Sequence, residues 1–228
     1  MPRMGIRSST FTTIGRYAYR TSAKTLLEET SRGPWLEGMA TQFRRICPFE
    51  LTNGQIRAWG NLYDVLVSAI AALPEEYMKL RIVFEYVMPQ YNPLTVSEKP
   101  DVGVRADVIL LSADKLAVLE FKDLEGPFEK CEKQVLKYKN RLQKWHVEST
   151  GMSKKAIMVF TKADDMLERV SHATFCSPDR LAEAIREAMP TPVHKMSKTR
   201  IKEWFGSDWA VKAKYLKAKV VEKPTEST

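Results

Sequence analysis

The sequence predicts one mixed α/β domain, an αβββαβ chain whose mixed central sheet is flanked by helices, with helical additions at both ends. Three apolar runs of strand length, at 81–88, 105–111 and 116–122, follow one another closely. Helical periodicity bounds them on both sides. The 228 residues, 44% of them hydrophobic, suffice for one sizeable core. The expected organisation is a basic arm with a short helix over 1–50, the core over 51–190, and a basic helical extension over 191–228.

Ser22 is placed to cap a short helix over 24–30, which Gly33-Pro34 is expected to end. A longer helix follows Asn53-Gly54. Its apolar residues Ile56, Trp59, Leu62, Tyr63, Leu66, Val67, Ile70 and Leu73 recur at helical spacing, and Pro74 stops it. The run 81–88 (RIVFEYVM) is β-branched and aromatic, with one acid, Glu85, at its middle. Prolines make 89–100 a loop. Two more apolar strands flank the turn Ser112-Ala113-Asp114-Lys115. Gly126-Pro127 opens a long polar helix to about His146, 156–161 (AIMVFT) is a buried strand, and Ser177-Pro178 starts a helix with apolar face Leu181, Ala182, Ile185 and Met189.

Composition narrows the function classes. A net charge of +8 suits a polyanionic partner. Cys47, Cys131 and Cys176 are far apart and have no histidine at ligand spacing, which argues against a zinc site and for a reducing, cytoplasmic compartment. No apolar run approaches the roughly 20 residues of a membrane span. Arg3, Arg7, Arg16, Arg20 and Lys24 read as a phosphate-touching arm in preference to a transit peptide.

The chemistry centres on the hairpin. An unbulged antiparallel pairing about Ala113/Asp114 sets Asp107 opposite Glu120, with Cβ atoms about 4.5–5.5 Å apart. Period-two alternation brings Lys122 to the face of Glu120, with Arg105 opposite. Two such carboxylates repel unless they share a proton or a cation. A hard ion such as Mg²⁺ or Mn²⁺ resolves the conflict with oxygen ligands and retained waters. On spacing alone, the four charges could equally be a solvated quartet at strand ends. Two facts favour a site: Glu120-Phe121-Lys122 is the only acid-x-Lys triplet in the chain, and it emerges from the buried run Leu116-Ala117-Val118-Leu119.

An Asp on one strand, Glu-x-Lys on the next and a helix afterwards resemble the PD-(D/E)xK nuclease superfamily, which implies a restriction-endonuclease-like core. Gln134 and Tyr138, four apart on the following helix, resemble the Gln-x-x-x-Tyr motif of its RecB-type exonucleases. The stretches VFEYVMP, RADVILL, VLEFK and QVLKY are similar to the nuclease-like N-terminal domain of a bacterial helicase family of unknown function, over roughly residues 17–190. The resemblance implies that Asp107, Glu120 and the backbone carbonyl of Phe121 bind Mg²⁺ or Mn²⁺, and that Lys122 assists catalysis. Gln134 and Tyr138 would contact substrate or brace the site, and Glu85 matches an acid on the first strand. Asp64, on the preceding helix, is a weaker candidate. No G-x-x-x-x-G-K-[ST] sequence occurs, so any ATP-driven unwinding falls to a separate helicase or ATPase subunit.

Ser197 and Ser207 read as caps of two short C-terminal helices. There Trp204, Phe205, Trp209 and Tyr215 interleave with Lys198, Arg200, Lys202, Lys212, Lys214, Lys217 and Lys219, either as a base-stacking, phosphate-gripping surface or as aromatics packed on the core. Lys212 and Lys214, with Arg105, are the expected phosphate contacts. His146, His172 and His194 are scattered and read as surface or core residues. The leading expectation is a metal-dependent nuclease acting on DNA in preference to RNA. Its rivals are a non-catalytic nucleic-acid-binding subunit working with a separate helicase, and a purely structural partner domain.

Overall fold

A computed structural model describes residues 16–47, 50–88, 104–123, 128–170 and 172–206. A short strand, β1 (Tyr19–Ser22), leads into α1 (Ala23–Glu28), where the Ser22 side chain accepts from the Thr25 amide as expected. Helix α2 (Arg32–Ile46) corrects the expected stop at Gly33-Pro34. Both residues lie in its first turn, where proline's missing N–H costs nothing because that amide has no intrahelical partner. Helix α3 (Asn53–Ala71) begins under a Thr52 cap, its hydroxyl accepting from the Gln55 amide at 3.2 Å. It buries Trp59, Leu62, Tyr63, Leu66 and Ile70 along one stripe.

Strands β2 (Arg81–Met88), β3 (Val104–Leu111) and β4 (Lys115–Lys122) form an antiparallel meander. Helix α4 (Phe128–Trp145) then crosses over to β5 (Ser153–Phe160), parallel to β4. Strands β6 (Leu167–Val170) and β7 (Ala173–Cys176), helix α5 (Leu181–Ala188) and helix α6 (Lys198–Gly206) follow. The seven-stranded mixed sheet runs β1-β2-β3-β4-β5-β7-β6. The αβββαβ order is present, with β1, β6 and β7 added.

Each face of the sheet has its own core. Helices α1, α2, α3 and α5 cover one, packing Trp35, Phe43, Trp59 and Ile185 against Ile82, Phe84, Val108, Leu119 and Ile157. Helices α4 and α6 cover the other, packing Val135, Leu142 and Trp204 against Val83, Ile109, Val118 and Met158. Burial on both faces explains the near-continuous apolar runs in the central strands.

Side-chain alternation reverses at one point. Ile82 and Phe84 belong to the first core, yet Tyr86 and Met88, of the same parity, belong to the second. On β3, Val108 and Leu110 join the first core and Ala106 and Val104 the second. The reversal falls at the 85/107 position, which the ladder skips between Phe84↔Val108 and Tyr86↔Ala106. Glu85 sits there at φ 52°, a left-handed conformation costing about 1–2 kcal/mol for a residue with a Cβ.

Candidate active site

The β3–β4 hairpin has the register expected from the sequence, from Leu111↔Leu116 to Val108↔Leu119. Ser112 closes the turn, its hydroxyl accepting from the Lys115 amide and donating to Asp114. Beyond Val108 the strands part. In place of a further ladder bond, the Phe121 amide donates to Asp107 Oδ2 at 2.9 Å. Asp107 therefore lies in the opening between two strands, half-buried, near enough to Glu120 for its charge to act on that carboxyl.

On the α4 side, Glu120 is 3% exposed. Its Oε1 accepts from Lys122 Nζ at 2.9 Å and from the Gln134 side-chain amide at 2.6 Å. That amide also donates to the Tyr138 hydroxyl at 2.9 Å, so the i,i+4 pair braces the carboxylate. Glu120 Oε2 is buried with no hydrogen-bond donor to it among the described residues.

Arg105 departs from expectation. It does not stand opposite Lys122: because alternation reverses at the 85/107 position, its guanidinium turns towards α2 and α3. There Nε lies 2.5 Å from Glu85 Oε2 and the guanidinium carbon 5.0 Å from the centre of the Phe43 ring. The single-face charge quartet is thus replaced by two clusters, one on each side of the sheet, with Asp107 between them. Glu85 is 1% exposed and also accepts from Trp59 Nε1 at 2.6 Å and from Gln55 at 3.5 Å. Both donors come from α3, and sequence reasoning missed their role. A lone acid inside an apolar strand was the available signal, since a buried carboxylate needs partners. Asp64 is exposed on α3 and pairs with Arg32 at 3.4 Å, outside these clusters.

The electrostatics follow from crowding acids in a dry place. Burial, then the Asp107 charge, pushes Glu120 up to about 8 against the pull of Lys122. The same two causes push Glu85 up to about 7, opposed by Arg105 and Trp59. Burial raises Asp107 too, although the Phe121 amide and Lys122 favour its charged form. Burial pulls Lys122 down, but the Glu120 carboxylate more than offsets this, so the amine stays charged. Tyr138 is raised by burial and by Glu120.

Among the described residues no group of three or more His, Cys, Asp or Glu is set to hold a metal ion. Two adjacent carboxylates with one buried, undonated oxygen fit an ion that completes its shell with waters and substrate phosphate, as Mg²⁺ does. Glu85 faces the other side of the sheet, its Oε1 taken by Trp59 and Gln55 and its Oε2 paired with Arg105. Phe121 contributes its amide to Asp107, while its side chain packs towards the α3-side core.

The C-terminal aromatics divide. Ser197 caps α6 through the Arg200 amide at 3.1 Å, and Trp204 is fully buried, its indole donating to Ser149 Oγ at 3.0 Å. Trp204 is thus a core residue. Ser207, Trp209, Lys212, Lys214 and Tyr215 lie outside the described residues. His146 is buried between Ser149 Oγ at 2.7 Å and the Trp204 carbonyl at 3.0 Å, and burial lowers it to about 4. His172 and His194 are exposed. The three cysteines are buried and free, and no helix among the described residues is long and apolar enough to cross a membrane.

No family model matches the chain, and no curated protein matches it. Among solved structures, the crystal structure of protein VC1899 from Vibrio cholerae is similar at 13% identity with a TM-score of 0.32, over 85% of this chain and 47% of that one. The chain spans about half the length of that structure, and a likeness this weak carries no argument about function.

Proposed function

We propose that this chain is a Mg²⁺- or Mn²⁺-dependent nuclease of the PD-(D/E)xK type, hydrolysing phosphodiester bonds in nucleic acid, DNA in preference to RNA. One observation carries the proposal: where β3 and β4 separate, the Asp107 carboxylate is held by the Phe121 amide, next along β4 to Glu120, whose Oε1 holds the Lys122 amine. Asp107 and Glu120, with the Phe121 carbonyl, would hold the ion. The ion supplies a more acidic bound water and offsets charge growing on the phosphoryl oxygens. Lys122 keeps its proton at neutral pH and is placed to hold the attacking water or a phosphate oxygen. Gln134 and Tyr138 orient Glu120, whereas Arg105 is committed to Glu85 on the other side of the sheet. The net charge of +8 supports a polyanionic substrate, and three free cysteines support a cytoplasmic setting. ATP-driven unwinding, where a substrate requires it, belongs to a separate helicase or ATPase.

The test is cleavage of labelled DNA and RNA by purified protein with Mg²⁺ or with chelator. Asp107→Ala and Lys122→Ala should each lower the rate by about 10²-fold or more while keeping the fold, read by circular dichroism. Cleavage that persists in chelator, or in Asp107→Ala, refutes the proposal. A second reading, a nucleic-acid-binding subunit without catalysis, is favoured by the depth of Glu120 and the saturation of its Oε1. Salt-sensitive binding that ignores both chelator and the Asp107 substitution selects it.

A further inference from the structure

Phe128 and Val147 are the exposed large hydrophobic side chains among the described residues, at 40% and 44%. Phe128 is not a loose ring. It stacks on Phe175 with centroids 5.4 Å apart and planes 22° from parallel, and meets Phe160 edge-on at 5.8 Å. Both supporting rings are fully buried. Phe128 is therefore held in one orientation from below, with the face opposite Phe175 turned outwards. An aromatic fixed this way stacks on a flat partner with little loss of side-chain freedom.

Its position relates it to the candidate active site by two routes. Because β4 and β5 are parallel, α4 runs back along them, and its first residue lies at the strands' C-terminal edge. Gln134, which donates to Glu120, is six residues further along the same helix, about 9 Å at 1.5 Å per residue. Across the sheet, Phe160 is the register partner of Lys122, on strands about 4.8 Å apart. Exposed Lys130 and Lys162 flank this edge.

We propose that Phe128 is a base-stacking residue, and that the substrate is single-stranded or locally unpaired nucleic acid running from the Asp107–Glu120 site over the start of α4. The proposal rests on the nuclease reading for its polarity, but the stacking contact stands without catalysis. A duplex hides its base faces within the stack, so an outward aromatic face rewards unpaired bases alone. Stacking on an aromatic is tolerant of sequence because every base has a π-face.

The experiment measures binding of a short single-stranded oligodeoxynucleotide containing 2-aminopurine, and of its duplex, to the full chain in chelator. The parent protein should quench the 2-aminopurine of the single strand. Phe128→Leu keeps apolar contact with Phe160 and Phe175 but has no ring, and should weaken single-strand binding about 5- to 150-fold without changing duplex binding. Phe128→Trp should restore it. Single-strand affinity unchanged in Phe128→Leu, or equal losses for single strand and duplex, overturns the proposal. A parent that quenches and binds yet cleaves nothing with Mg²⁺ sinks the nuclease reading and leaves the stacking site standing.

Discussion

Replacing Glu120 by glutamine keeps the shape and the acceptor for Gln134 while removing the acid that titrates. In the folded protein burial and the Asp107 charge raise this carboxyl from 4.5 to about 8. An acid with a raised folded pKa contributes stability that is fully present below the unfolded value and is lost as pH rises through the folded one. Its cost grows by about 1.4 kcal/mol per pH unit between the two values. That is about 1 kcal/mol at about pH 5.5 and about 4 at about pH 8. His146 tilts the parent's profile the other way: with its folded value lowered to about 4, it costs stability as pH falls below 6.5. The difference between Glu120→Gln and the parent cancels that contribution. Urea unfolding in chelator should therefore show the variant gaining about 2–3 kcal/mol on the parent from about pH 5.5 to about pH 8. Saturating Mg²⁺ should stabilise the parent by about 2.7 kcal/mol at a hundredfold excess over its Kd and leave the variant unmoved. A difference that stays flat, or shrinks, with rising pH refutes the crowded-acid account.

Two further outcomes test the surroundings of the site. Arg105→Ala leaves Glu85 with Trp59 and Gln55 alone and should cost about 2–4 kcal/mol at about pH 8, less at about pH 5.5 where Glu85 takes up a proton, read by urea unfolding at both values. Trp204→Phe strips the indole donor from the Ser149–His146 circuit and should cost about 1–3 kcal/mol in thermal or urea unfolding while nucleic-acid affinity at fixed salt stays at the parent's value.

The parts legible in the sequence are those with strong local physics. The run RIVFEYVM spans Arg81–Met88 because its six apolar residues, packed on both faces of the sheet, leave no other solution. The turn at Ser112 fixed the hairpin register, and that register brings Asp107 beside Glu120. Tyr19–Ser22 and Leu167–Val170 were illegible because four-residue edge strands of mixed polarity carry no alternation to read. Arg105's direction was illegible for a sharper reason. The sheet changes face at Glu85, and a left-handed backbone at a glutamate has no signature of the kind glycine or asparagine gives. Trp59 at helical spacing reads as core, and it is core; only the buried acid across from it reveals the second role of its N–H.

Soaking crystals in Mn²⁺ and computing an anomalous difference map tests the shared carboxylate site most directly. A single peak within ligand distance of both Asp107 and Glu120, absent from crystals of Asp107→Asn, is the expected result. Cleavage-competent protein with no peak between those two carboxylates, or with its only peak at Glu85, contradicts the account.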